Sequence, residues 1–281
     1  MPAARIMGWM IESSPPIEAL TWAARAAGEP VRVVRRLPGG THAATHLLAT
    51  AESRRELVLR RFPPGDTAAA DEARVLGVLD GLGGRAPRLL GADPDGRRCG
   101  EPAVLTTRLP GRADITSVDP GTAAVHLGRV LARLHATPPA LLPGLRDGMA
   151  AALASPARGH ADAPGAQKLA AHVHRLTEAE EVLTHYDFWS GNVLWEGGAL
   201  TGVVDWSGAS RAPRGFDVAW CRLDWSCSTA RKRPRRSRTP TRTRRDGPSP
   251  TSRSGTCSPS PTPITPSRAG CPTTTTSAGR T

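Results

Sequence analysis

The spacing of apolar and polar residues predicts an antiparallel sheet in the first part of the chain. Strand-like runs rich in Val, Leu and Ala alternate with turn-forming residues, at 31–37, 46–50, 56–62, 87–91 and 102–109. The turn Asp93-Pro-Asp-Gly96 separates the last two runs. Strand runs joined by short Gly- or Pro-containing turns favour antiparallel pairing. Pro110 and Gly111 then interrupt the pattern, as expected of a linker between two lobes.

Helical periodicity predicts helices before, within and after these strands. Apolar residues recur every three or four positions in four segments, 16–28, 66–82, 121–136 and 168–181. The third segment is the clearest, because its leucines and Val130 share one side while arginines occupy the other. Residues 138–165 are rich in Pro, Ala and Gly, and no element is assigned to them.

The turn between the first two strands is a candidate phosphate-binding loop. It contains Gly39, Gly40 and Thr41. Glycine permits unusual dihedral angles and close approach, so backbone N–H groups in such a turn can face a phosphate. A Gly-Gly turn is also a common hairpin connection, and the sequence leaves both interpretations open.

Two charged residues near this sheet are a candidate pair. Arg60 ends the third strand, and Glu72 lies early in the second helix. In one interpretation Glu72 orients the Arg60 guanidinium towards nucleotide phosphates. In the other, Glu72 is a solvated charge near the positive end of the helix dipole.

The residues best suited to chemistry lie between positions 183 and 206. Asp187 and Asn192 fall in a loop, and the two strand-like runs that follow predict a hairpin that returns Asp205 to the neighbourhood of Asn192. Asp205 ends an apolar run, where a buried carboxylate is costly unless it is paired or bound to metal. Asp187 can accept a hydrogen bond from a substrate hydroxyl as a catalytic base. Asn192 and Asp205 offer hard oxygen ligands for Mg²⁺, and His185 is expected to brace the loop.

Charge and cysteine content narrow the function classes. The 281 residues carry a net charge of +12, but residues 225–281 hold twelve of the 37 basic residues and one of the 25 acidic ones, so +11 belongs to that tail. The five cysteines show no paired spacing, which argues against a disulfide framework or a zinc site and favours a reduced cytoplasmic setting. No run of eighteen apolar residues and no signal-peptide pattern is found in the sequence, so a soluble protein without a membrane partner is expected.

The motif His185-x-Asp187-x-x-x-x-Asn192, followed by Val-Val-Asp205-Trp206, resembles the aminoglycoside phosphotransferase family, which includes choline and homoserine kinase relatives within the protein-kinase-like fold. The resemblance covers about residues 17–224, with the elements in the same order. It implies ATP and Mg²⁺ as cofactors and a small-molecule hydroxyl as acceptor. It also implies that Asp217 is a structural carboxylate, and it places Arg60 where many kinases carry a lysine.

The expected fold class is therefore α+β, a two-lobed protein-kinase-like fold. Residues 17–111 would form a nucleotide-binding N-lobe around a small antiparallel sheet, and residues 112–224 a mostly helical catalytic C-lobe. Residues 225–281 form a basic tail rich in Ser, Thr, Pro and Arg, which is expected to be disordered because it has too few apolar residues to offset its ordering entropy.

The tail supports two further hypotheses. Read in the neighbouring frame, its start allows an apolar, Glu/Ala-rich segment of the kind that continues the C-lobe of related kinases. We therefore hypothesise a frameshifted C-terminus and, as an alternative function, a catalytically impaired truncated kinase. Nucleic-acid binding through the basic tail is less favoured, since the tail lacks interleaved aromatic residues. No specific nucleic-acid partner is expected, and the oligomeric state is left open.

Overall fold

The computed structural model describes residues 14–38, 42–141, 143–154 and 166–230. The predicted loop residues Gly39, Gly40 and Thr41 lie outside these ranges, as does the predicted tail from residue 231 onward. Within the described ranges the chain combines helices with a mainly antiparallel set of strands, which is the predicted α+β class. No helix among these residues is long and apolar enough to cross a membrane.

The strands and helices, numbered here in chain order, agree closely with the predicted segments up to residue 136. The strands are β1 (Val31–Arg36), β2 (Ala44–Thr50), β3 (Glu56–Arg61), β4 (Leu89–Asp93), β5 (Ala103–Thr107), β6 (Glu181–Thr184), β7 (Val193–Glu196), β8 (Ala199–Val203) and β9 (Ser210–Pro213). The helices are α1 (Ile17–Ala27), α2 (Ala68–Leu79), α3 (Pro120–His135), α4 (Gly148–Ala154), α5 (Ala166–Thr177) and α6 (Gly215–Ala230). Short 3₁₀ turns lie between several of them.

The first five strands form one antiparallel sheet in the order β1-β2-β3-β5-β4. Helix α1 covers one face, where Trp22 packs against buried leucines of β2, β3 and β5. Helix α2 belongs to a second, larger core that continues through α3 to β6, β7 and β8. Burying a leucine in such a core stabilises the fold by about 1.5–3 kcal/mol, so the mostly buried strands β2, β3 and β5 are packed on both faces, whereas β1 is mostly exposed.

The linker after β5 lies against the β7–β8 hairpin. Thr201 donates a hydrogen bond to the Pro110 carbonyl at 2.7 Å, and Arg112 exchanges backbone hydrogen bonds with Trp195. Gly111 has a φ of 94°, and a Cβ there would lie 2.7 Å from the Trp195 carbonyl oxygen. At the predicted interruption Pro110-Gly111 the backbone therefore approaches the hairpin so closely that only glycine is accommodated.

Three boundaries differ from the predictions. The helix expected over 168–181 ends at Thr177, because Glu181 starts β6, which pairs with β9. The unassigned stretch 138–165 contains α4. Helix α6 extends past the predicted C-lobe boundary at 224 and ends at Ala230. The helix continues past this boundary because of packing, since the Trp225 side chain is partly buried against the larger core.

Candidate active site

The loop after β6 holds the first two candidate residues next to each other. Asn192 is buried at the end of the 3₁₀ turn Ser190–Asn192, and its amide Nδ2 donates to the Asp187 backbone oxygen at 2.9 Å and to Asp187 Oδ2 at 3.0 Å. Because the amide N–H groups face Asp187, the Asn192 carbonyl oxygen is the part of the side chain left for a cation. Asp187 is half-buried.

Asp205 reaches the same region by the predicted hairpin. The Val204 backbone N–H donates to the backbone carbonyl of Asn192 at 2.9 Å, which ties the end of β8 to the loop. Asp205 itself has a φ of 68°, a left-handed conformation that aspartate tolerates better than most residues. Its Oδ1 accepts hydrogen bonds from Ser207 at 2.9 Å and from Arg60 at 2.7 Å.

Arg60 joins the sheet to this site through two carboxylates. Its Nη1 donates to Glu72, and its Nη2 donates to Asp205. Burial acts to lower the pKa of Arg60, but Glu72 and Asp205 outweigh it and raise the pKa. Burial also acts to raise the pKa of Asp205, and Arg60 reverses that effect and holds the pKa below its ordinary value. The interpretation of Glu72 as a solvated helix charge is wrong, since its side chain is 3% exposed.

The buried Asp217 carboxylate organises the loop from behind. It accepts from the backbone N–H groups of His185 at 2.9 Å and Tyr186 at 2.8 Å, and from His135 Nε2 at 3.0 Å. His185 in turn donates from Nε2 to the Val204 carbonyl at 3.0 Å, and its ring packs edge-on against Trp206. The predicted bracing by His185 and the structural contacts of Asp217 are both present.

Residues 33–242 match the model of the phosphotransferase enzyme family APH. The chain belongs to this family. It is therefore a small-molecule phosphotransferase, and the resemblance inferred from the His185 and Asp205 motifs is confirmed. A search of curated proteins found no significant match.

Solved structures show the same fold. A thermostable mutant of aminoglycoside phosphotransferase APH(4)-Ia, in complex with AMP-PNP and hygromycin B, aligns with a TM-score of 0.56 at 16% identity, over 75% of this chain and 80% of that chain. The same protein with ADP and hygromycin B gives a TM-score of 0.55 at 17% identity, over 72% and 75%. The apoenzyme of macrolide 2'-phosphotransferase MphH from Brachybacterium faecium gives 0.51 at 21% identity, over 73% and 76%. At such low identities these structural alignments show the kinase-like fold alone.

The oxygen groups of this phosphotransferase suit a hard divalent cation. Asn192 contributes an amide oxygen, and Asp205 has a carboxylate whose Oδ2 accepts no hydrogen bond from the described residues. Magnesium prefers one or two carboxylate or amide oxygens together with phosphate and water. No group of three His, Cys, Asp or Glu side chains within the described part of the chain is arranged to hold a metal, so a closed metal cage is not formed there.

Several residues that contact the candidate site carry no recognisable signal in the sequence. Ser207 donates to Asp205, and Asp224 accepts from the Ser190 N–H at 2.9 Å, which fixes the turn before Asn192. Tyr186 lies between His185 and Asp187 with a φ of 70°. For Tyr186 the sequence did offer a signal, namely an aromatic residue in the middle of the motif. An aromatic side chain so close to a candidate base must either face the site or be packed beside it.

Proposed function

We propose that this phosphotransferase transfers the γ-phosphate of ATP, with Mg²⁺, to a hydroxyl group of a small molecule. The observation that carries the proposal is the grouping of Asp187, Asn192 and Asp205 around one loop and one hairpin, with Arg60 bonded to Asp205. Phosphoryl transfer requires mainly positioning and charge stabilisation, and this set provides groups for both. ATP is an intracellular phosphate donor, so we place the reaction in the cytoplasm.

Arg60 is the proposed contact to the nucleotide phosphates. Its guanidinium is buried, its charge is secured by Glu72 and Asp205, and it is the basic residue nearest to the proposed metal ligand Asp205. Guanidinium groups bind phosphate oxygens in a bidentate manner. The predicted loop Gly39, Gly40 and Thr41 would add backbone N–H donors, and its role remains a proposal. The complexes of APH(4)-Ia with ADP and AMP-PNP support a nucleotide in this fold.

Asn192 and Asp205 are the proposed magnesium ligands. When bound, the cation neutralises phosphate charge as the phosphoryl group leaves. The two residues lie on different segments. The hydrogen bond from the Val204 backbone N–H to the Asn192 backbone carbonyl holds these segments together. That bond keeps the two oxygen donors at the same end of the hairpin, where the nucleotide phosphates are proposed to lie.

Asp187 is the proposed catalytic base. Its Oδ2 is held by Asn192, which leaves Oδ1 to accept the hydrogen bond of an acceptor hydroxyl and point its oxygen at the γ-phosphate. The proton of the hydroxyl would move to this carboxylate as the hydroxyl oxygen bonds to the γ-phosphorus and the bond from that phosphorus to the β–γ bridging oxygen breaks, with ADP as the leaving group. Hygromycin B in the APH(4)-Ia complexes and the macrolide acceptor named for MphH support a hydroxyl-bearing small molecule.

The decisive experiment measures transfer from γ-labelled ATP. The purified chain is incubated with Mg²⁺, ATP and a panel that contains hygromycin B, a macrolide and water as acceptor, beside the variant Asp187→Ala. We expect Mg²⁺-dependent turnover by the native chain and loss of turnover by the variant, with Mg²⁺–AMP-PNP binding retained in both. Absence of Mg²⁺–AMP-PNP binding by the native chain would refute the proposal.

One observation favours a second candidate, a nucleotide-binding protein impaired in transfer. Helix α6 exposes three large apolar side chains, Val218, Trp220 and Leu223, by 41–59%. Exposed apolar residues on one helix are typical of a surface that another element covers. Binding of Mg²⁺–AMP-PNP without turnover on any acceptor, water included, would favour this candidate.

A further inference from the structure

Tyr186 has a backbone conformation that its side chain disfavours. Its φ of 70° lies in the left-handed region, where a Cβ atom crowds the following carbonyl oxygen. Non-glycine residues persist there only when their surroundings hold them, and such residues cluster at functional sites. Tyr186 is also the single tyrosine of the chain, and it immediately precedes the proposed base Asp187.

The Tyr186 ring is packed by two side chains from separate segments. The Phe216 ring stacks on it with centroids 5.4 Å apart and an interplanar angle of 18°. The Arg146 guanidinium lies over the ring, 4.5 Å from its centroid. Arg146 is itself fixed, because it donates to Ser210 Oγ at 2.9 Å and to the Gly208 carbonyl at 2.8 Å. The segment after Asp205 thereby holds the cation that packs on Tyr186.

The edge of the ring and the backbone of Tyr186 are held as well. The hydroxyl donates to the Gly148 carbonyl at 3.1 Å. A Cβ at Gly148 would lie 2.8 Å from Tyr186 Cε2, so the ring fills the space that a larger residue would need. The Tyr186 N–H donates to Asp217 at 2.8 Å. The ring contacts depend on the left-handed backbone, since rotation about φ would swing the ring away from its partners.

We infer that Tyr186 is a positioning residue, whose ring contacts with Arg146, Phe216 and Gly148 lock the loop backbone in the conformation that aims Asp187. This inference rests on the proposed function, in which Asp187 orients the acceptor. Asn192 fixes one carboxylate oxygen of Asp187, and Tyr186 fixes the peptide from which that side chain projects. A small misplacement of a reacting group can cost about 10²-fold in rate. Loss of the Tyr186 ring contacts is therefore expected to lower turnover and to leave nucleotide binding unchanged.

The first test measures the lock without any catalytic assay. Hydrogen exchange of the backbone amide at position 186 is compared in the native chain, Tyr186→Ala and Arg146→Ala. We expect exchange at least about tenfold faster in both variants, which corresponds to 1.36 kcal/mol. In protein labelled with 3-fluorotyrosine, the single ¹⁹F resonance should shift in Arg146→Ala. Arg214→Ala, which removes an exposed arginine paired with Glu180, is the matched control and should change neither. Unchanged exchange in Tyr186→Ala would overturn the lock.

The second test separates positioning from a merely structural role by a series at position 186. Hydrolysis of Mg²⁺–ATP, with water as acceptor, is measured for Phe, Gly and Ala variants. We expect Tyr186→Phe within about fivefold of native kcat, and Tyr186→Ala about tenfold below Tyr186→Gly, because glycine adopts a positive φ without penalty. KM for ATP should stay within about twofold of native.

The outcomes of this series have distinct meanings. Equal kcat in the native chain and Tyr186→Ala would overturn the positioning role, and equal kcat in the Gly and Ala variants would overturn its backbone origin. A native chain that binds no Mg²⁺–AMP-PNP would instead refute the proposed function, and the hydrogen-exchange comparison would still decide whether the lock exists.

Discussion

Arg60 Nη2 lies 2.7 Å from Asp205 Oδ1, and this contact joins two residues that are 145 positions apart in the chain. The same guanidinium donates to Glu72 from its other nitrogen. An arginine can span two carboxylates because its donors are arranged in a rigid fork, whereas a lysine presents a single point charge. The arginine at this position therefore links the sheet, helix α2 and the proposed metal ligand in one contact.

The substitution Glu72→Gln should destabilise the fold. It removes the charge that secures the buried Arg60 on one side, and breaking a buried ion pair typically costs about 3–5 kcal/mol. Because Asp205 still contacts Arg60, we expect the lower end, about 3 kcal/mol. The free energy of unfolding in urea measures the effect.

The matched control is Glu56→Gln, which breaks the exposed pair between Glu56 and Arg108, whose side chains are 43% and 36% exposed. Exposed pairs contribute about 1 kcal/mol or less. If the two variants lose the same stability, the buried pair has no special role in the fold.

Substitution Asp205→Asn should weaken metal binding. The amide carries no charge, and we expect the affinity for Mn²⁺ in the presence of ADP to fall at least about tenfold, since loss of even an outer-shell partner of a metal costs about 10- to 100-fold. Free Mn²⁺ is measured by its electron paramagnetic resonance signal. Asp95→Asn, at a side chain that is 68% exposed, is the control. Unchanged Mn²⁺ affinity would remove Asp205 from the metal site.

The variant Asp187→Asn should lower kcat with little change in nucleotide binding. An asparagine can still accept the bond from Asn192, so the loop is expected to stay in place, but it cannot take the acceptor proton. General-base contributions are about 10²- to 10⁴-fold, which sets the expected loss. Steady-state kinetics together with AMP-PNP titration measure both quantities. A loss of binding equal to the loss of turnover would contradict the assignment.

The buried His46 should make stability depend on pH. Burial, followed by the charges of Arg61 and Arg36, lowers its pKa to about 4 from an ordinary value of 6.5. Between these values the unfolded chain binds a proton that the folded chain does not, so the free energy of unfolding should fall by about 3 kcal/mol as the pH decreases from 6.5 to 4. Its full contribution is present above pH 6.5.

Urea titrations across this pH range test the prediction in the native chain and in His46→Gln, which carries no titrating group. The difference between them isolates His46 from carboxylates that titrate below pH 5. His174→Gln, at an exposed position of α5, controls for loss of an imidazole. Parallel pH profiles for the native chain and His46→Gln would show that His46 does not contribute.

Local patterns were sufficient for most of the fold and for the placement of Asp205. The hairpin of β7 and β8 is a short-range feature, so its strands and turn could be read directly and Asp205 followed from them. The pairing of Glu72 with Arg60 was one of two interpretations that the sequence left open, and the burial of both side chains selects it. Contact between Arg60 and Asp205 could not be predicted, because it depends on how the sheet packs against the hairpin.

The short helix α4 also escaped prediction, for a related reason. Its few residues carry no clear periodicity, and its position is set by contacts such as that of Gly148 with Tyr186. The conformation of Tyr186 was hidden in the same way, since a positive φ at a tyrosine follows from its partners and not from its own preference.

The absence of a side chain at Gly148 has a consequence for how this protein could vary. A Cβ at position 148 would lie 2.8 Å from the Tyr186 ring, 3.0 Å from Ser210 Cβ and 3.1 Å from Ala212 Cβ, so the ring is the tightest of three close neighbours. Positions 148 and 186 are therefore coupled, with positions 210 and 212 also limiting the space, and divergence at 148 should accompany divergence at 186. Substituting either alone would pass through a less stable or less ordered intermediate, which makes this pair of positions slow to change.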